Sequence, residues 1–139
     1  MLNMKIENNS NLDLNKLKDM LDDFYSFAKK RLNFSIDPQI YFQSDHVNAK
    51  YALGKTAFYN PEKKSITIFV DGRHPKDIMR SLSHELVHHA QNCDGQFDQG
   101  YATKEGYAQE DNHLREMEKD AYLRGNMCFR DWEDRYRNR

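Results

Sequence analysis

The segment His84-Glu85-Leu86-Val87-His88 constrains this chain more than any other five residues. It lies in a stretch with helical periodicity, predicted over about 75–92, where Ile78, Met79, Leu82, Leu86 and Ala90 fall within an arc of about 120°. Both histidines sit nearly opposite that arc. Residues four apart project from one face of a helix, one turn apart, so His84 and His88 can close on a single metal ion. Glu85 points about 100° around the helix from His84, which places a carboxylate beside such an ion without making it a ligand. The chemistry that uses this pattern is hydrolytic: zinc brings the pKa of bound water to about 7, and a carboxylate takes the proton as water attacks a carbonyl. The reading without a metal is a solvated surface pair of histidines.

A catalytic zinc takes three protein ligands plus water, so a third donor is expected from another element. A further helix is predicted over about 113–128, capped by Asp111-Asn112. Leu114, Met117, Ala121 and Cys128 set its apolar face, and Gly125 permits close approach to a neighbour. Glu118 lies at the edge of that face, whereas Glu116 and Asp120 point largely away. A carboxylate among apolar neighbours is costly without a cation, which selects Glu118 over the alternative of a surface pair with Arg115 or Arg124. Asp94 is the runner-up ligand and Cys93 a distant third.

With Glu118-Lys-Asp-Ala121 following 30 residues after His88, the chain resembles the gluzincin, or thermolysin-like, class of zinc metallopeptidases over roughly residues 65–125. It is closer to small stand-alone domains, including uncharacterised ones encoded by bacteriophages, than to large secreted proteases. The resemblance implies one Zn2+ per chain held by His84, His88 and Glu118, with Glu85 as general base and a peptide or protein as substrate. It also implies a minimal zincin fold. The rival pattern H-E-x-x-H-x-x-G-x-x-H fails, because Gln91 stands at the Gly and Asp94 at the third His. Tyr101, Tyr107, His113 and His89 are all open as oxyanion stabilisers. His89 reads as packed or supporting, His46 and His74 as loop residues, with His74 in reach of capping the metal-bearing helix.

The remaining chain predicts an α+β domain over 1–139: an N-terminal helix at 13–32 from Leu14, Leu17, Leu21, Phe24, Ala28 and Leu32, then a small, mostly antiparallel sheet. Its strands are expected around Ile40-Tyr41-Phe42, within 51–59, and at 65–70, the last two joined as a hairpin through Asn60-Pro61-Glu62-Lys63. An extended peptide could add to the edge of the 65–70 strand. A long loop is expected over 93–111. Residues 1–12 and 130–139 read as flexible ends, with Trp132 anchoring the second.

Charge and hydropathy narrow the function further. The chain is polar, with a mean hydropathy of -0.99, yet its 12% aromatic content argues against disorder. Its 21 basic and 22 acidic side chains nearly cancel, which excludes a polybasic nucleic-acid binder. No stretch approaches the roughly 20 apolar residues of a membrane span. MLNMKIENNS has neither the basic nor the apolar region of a secretory signal, and two cysteines do not make a disulfide framework, so a cytoplasmic protein with reduced Cys93 and Cys128 is expected. Two other classes remain: a zinc-stabilised structural or assembly protein that cleaves nothing, and a protein-binding module that holds no metal.

Overall fold

A computed structural model describes residues 4–44, 56–96 and 112–138. His46, Tyr101, Tyr107, Asp111, most of the loop expected over 93–111 and most of the segment 51–59 lie outside the described residues. The elements run β1 (Lys5–Asn9), α1 (Leu14–Leu32), β2 (Gln39–Gln43), β3 (Ala57–Asn60), β4 (Ser65–Phe69), α2 (Pro75–Cys93) and α3 (Asn112–Arg137). Among the described residues the class is α+β, with three helices and one four-stranded sheet.

Helix α1 forms where the apolar period predicts it. Asp13 caps its start by accepting a hydrogen bond from the Asn15 backbone N–H, and Asn33 ends it in a left-handed conformation (φ 61°). Lys29, Lys30 and Arg31 in the last turn complement the helix dipole. Its buried face, with Leu17, Leu21, Phe24, Tyr25, Ala28 and Leu32, enters the core.

The sheet corrects the expectation of a mostly antiparallel arrangement. Its order is β1-β2-β4-β3, with β1/β2 and β2/β4 parallel and only β3/β4 antiparallel. The physical reason is connectivity. Helix α1 carries the chain back between β1 and β2, the crossover that a parallel pair needs, and β3 lies in sequence between the parallel strands β2 and β4. The hairpin through Asn60 then contributes the antiparallel pair, with Asn60 Oδ1 accepting from the backbone of Glu62 and Lys63. Ile6, Ile40 and Ile66 lie in register across three strands, and Ile40, Phe42, Ile66 and Ile68 are fully buried.

Two further expectations change. Residues 5–9 are an edge strand of the sheet rather than a flexible end, held by backbone pairing to β2. Strand β4 is an interior strand between β2 and β3, so no peptide can add to it; among the described residues the sheet's outer strands are β1 and β3.

Helix α2 starts at Pro75, with His74 as N-cap accepting from the Lys76 N–H at 3.1 Å. It buries Ile78, Met79, Leu82, Leu86, Val87 and Ala90 and packs most extensively on α3, as well as against α1, β3 and β4. Helix α3 continues nine residues past the predicted end at 128. Its charged C-terminal half is helical because each side has a partner. Trp132 is buried, donates to Asp23 Oδ2 at 2.8 Å and meets Phe24 edge-on. Asp131 pairs with Arg31 and Glu133 with Lys76. Both thiols are free, Cys93 exposed and Cys128 buried. No described helix is long and apolar enough to cross a membrane.

Candidate metal centre

Gly125 decides how near α3 comes to α2. A Cβ at that position would lie 3.1 Å from His84 Cα and 3.2 Å from His84 N, closer than the roughly 3.5–4.0 Å of an ordinary carbon contact. The Ser83 hydroxyl donates to the Gly125 carbonyl at 2.7 Å across the same seam. With the backbones this close, a long side chain one to two turns earlier on α3 reaches the histidine face of α2.

Glu118 is that side chain. Its Oε1 lies 2.5 Å from His88 Nε2 and its Oε2 3.6 Å from His84 Nε2. The two imidazoles meet edge to face, 5.1 Å between centroids. Glu85 is buried on the same helix, and ligand atoms of His84, Glu85 and His88 all lie within 4.8 Å of one another. Four groups singled out in the sequence therefore converge. The side chain of His88 is 8% exposed, that of His84 23% and that of Glu118 44%, so the cluster opens to solvent on the α3 side.

Electrostatics bind the cluster together. Burial disfavours a charged His88, but the hydrogen bond to Glu118 and the negative charge of Glu85 outweigh it and raise its pKa. The facing imidazoles of His84 and then His88, the second hydrogen-bonded to it, hold the Glu118 carboxyl far below the usual carboxylate range, against the opposing effect of burial. A carboxylate and two imidazoles drawn this close suit a cation between them. Tetrahedral zinc with bonds near 2.1 Å separates its donors by about 3.4 Å, and the observed 2.5 and 3.6 Å lie on either side of that value. Two imidazoles and one carboxylate are also a known zinc donor set. The residues fit the ion.

The other sequence candidates are placed elsewhere. Asp94 is the exposed C-cap of α2, and Cys93 is exposed with its Sγ 3.6 Å from His89 Nε2; neither joins the histidine pair. Glu116 is exposed beside Lys119. His89 is a core residue: its Nε2–H donates to the Ile36 carbonyl at 2.6 Å, and its Nδ1 accepts from the Tyr59 hydroxyl at 2.9 Å. Burial lowers its pKa, and Phe34 and Tyr59 pack edge-on against the ring. With both nitrogens engaged it has none left for a reacting group. His113 Nε2 lies 2.9 Å from the Gln96 carbonyl, tying the start of α3 to the end of α2.

Two neighbours of the cluster are not singled out by the sequence. The ring of Tyr122, exposed on α3 one turn after Glu118, meets the His84 ring edge-on at 4.7 Å. Gln91, fully buried one turn after His88, lies with Oε1 2.9 Å from His88 Nδ1. Its Nε2 donates to the Met117 carbonyl at 3.0 Å and to Asp120 Oδ2 at 2.9 Å. Asp120, expected to face away, is thereby part of the seam and is itself gripped by Arg124 at 2.8 Å through two nitrogens. Helical spacing is the signal that could have found both: Tyr122 is i+4 from Glu118, and Gln91 is i+3 from His88.

No protein-family model, no curated protein and no solved structure matches this chain. The geometry of the cluster therefore carries the functional reading.

Proposed function

We propose that this chain is a zinc-dependent peptidase of the gluzincin kind, with His84, His88 and Glu118 holding the ion and Glu85 as general base. The observation that carries this reading is the reach of Glu118, from a second helix, to Nε2 of both histidines. A bound zinc ion supplies Lewis acidity, polarising a substrate carbonyl and making water acidic near neutral pH. Glu85, buried beside the two imidazoles, takes the proton of the attacking water and delivers it to the departing amine. Tyr122 borders the cluster and contacts what enters it.

A purely structural zinc site is closed by four protein ligands. Here the carboxylate of the third ligand, Glu118, and the His84 imidazole remain partly exposed, and Glu85 is kept for the proton rather than for the ion. That openness favours catalysis over a silent site. The test is elemental analysis of purified protein after zinc repletion, followed by cleavage of a peptide library with and without chelator. About one zinc per chain and chelator-sensitive cleavage are expected; a protein that takes up no zinc refutes the reading.

A further inference from the structure

We infer that Gln91 is a positioning residue through which α3 sets the tautomer of His88, an inference that rests on the metal-site reading above. The amide of Gln91 has only one workable orientation. Two acceptors from α3, the Met117 carbonyl and the Asp120 carboxylate, lie 3.0 and 2.9 Å from one end of it. That end must therefore be the NH2 group, because a carbonyl there would face two other oxygens. The opposite end, Oε1, is then committed to accepting, and it lies 2.9 Å from His88 Nδ1. Nδ1 must carry a proton to satisfy it. His88 is thus held with Nδ1–H towards Gln91 and Nε2 towards Glu118, the orientation in which Nε2 can serve as a metal ligand.

Rotation is blocked at every link. Arg124 holds Asp120 through two parallel hydrogen bonds one turn along α3. Gln91 is fully buried, so a flipped amide would leave its polar atoms opposed to like partners with no water to compensate. The helix that donates Glu118 therefore also orients a ligand on α2, through the series Arg124, Asp120, Gln91, His88. Outer contacts of this kind commonly involve a carboxylate or backbone carbonyl; here a neutral amide serves, and its direction comes from the facing helix.

The experiment uses the full chain with zinc as probe. Gln91→Met keeps the bulk but removes the acceptor, and zinc affinity measured against a competing chelator should fall about 10–100-fold. Gln91→Glu sets a carboxylate against Asp120 and should weaken zinc similarly. Adding Asp120→Asn gives that new carboxylate a donor, and the double variant should bind about tenfold more tightly than Gln91→Glu alone. Unchanged affinity in Gln91→Met, or no recovery in the double variant, overturns the inference. A second readout needs no metal: nitrogen-edited NMR of the zinc-free protein should show an exchange-protected His88 Nδ1–H that disappears in Gln91→Met. Its absence from the wild type overturns the inference even if zinc binds. If zinc does not bind the wild type but the protected proton is present, the peptidase reading fails while the assignment of Gln91 stands.

Discussion

Replacing Gly125 with alanine tests whether the α2–α3 seam holds the candidate metal ligands in register. The added methyl would sit 3.1 Å from His84 Cα and 3.2 Å from His84 N. Both are backbone atoms, so no rotamer change relieves the contact. Restoring about 3.5 Å requires the helices to separate by about 0.4 Å. Two effects oppose each other in stability. Alanine improves on glycine in a helix interior by about 1 kcal/mol, whereas overpacking of a tight contact costs about 1–3 kcal/mol. The net is a loss of about 0–2 kcal/mol, or a fall in Tm of a few degrees. The effect on zinc should be larger than that on folding, because Glu118 reaches His84 and His88 only across this seam, and small displacements at a preorganised site are costly. Thermal unfolding of the metal-free variant by circular dichroism, with a chelator-competition titration of zinc, measures the two separately. A higher Tm together with wild-type zinc affinity would show that α3 can shift without disturbing the donors, and would refute the reasoning.

Glu85→Gln should abolish hydrolysis of a confirmed peptide substrate while zinc stays bound; retained turnover removes Glu85 from its role, and loss of zinc shows that it is a ligand. Glu118→Ala should lower zinc affinity beyond the roughly 10–100-fold typical of outer contacts, whereas Glu116→Ala and Asp94→Ala, both at exposed positions, should leave it near wild type. Competition titrations on the three variants decide, and a selective loss in Asp94→Ala would overturn the donor set. In the metal-free protein the raised pKa of His88 means that its attraction to Glu118 is fully present below about pH 6.5 and is lost as pH rises through the raised value. The stability gap between wild type and Glu118→Gln should therefore be widest below pH 6.5 and narrow above it. Denaturant titrations across pH 5.5–9 (about half-unit steps) would check this, and a gap independent of pH would contradict the His88–Glu118 coupling.

The helices were more legible than the sheet because helical burial writes a period of 3.6 into the sequence. Leu17, Leu21, Phe24, Ala28 and Leu32 define α1, and Ile78, Met79, Leu82, Leu86 and Ala90 define the inner face of α2. Strand β1 has no such signature: Lys5-Ile6-Glu7-Asn8-Asn9 carries one apolar residue and is held by main-chain pairing to β2, which any sequence can make. Strand direction leaves no trace either. Ile66 and Ile68 would be buried equally well beside a parallel or an antiparallel partner; the connections decide, α1 between β1 and β2 and β3 between β2 and β4. The late end of α3 was hidden for a related reason, since Asp131 and Glu133 read as solvated charges until Arg31 and Lys76 are placed opposite them.

At the site, the residues that a helix must place by itself were legible, and those that depend on the seam were not. The i, i+4 spacing alone puts His84 and His88 together. Glu118 was reached by an energetic step, the cost of a carboxylate beside an apolar face. The structure modifies the premise: the side chain is 44% exposed, and the imidazoles rather than burial dominate its ionisation. Spacing puts Gln91 one turn from His88 but leaves the direction of its amide open, because a glutamine after a histidine pair has no preferred partner until another helix arrives. Its amide points at His88 only because Met117 and Asp120 occupy its other end. Gly125 links the two levels. Its lack of a side chain was readable, but its consequence is the close approach that brings Glu118 to both histidines and Asp120 to Gln91.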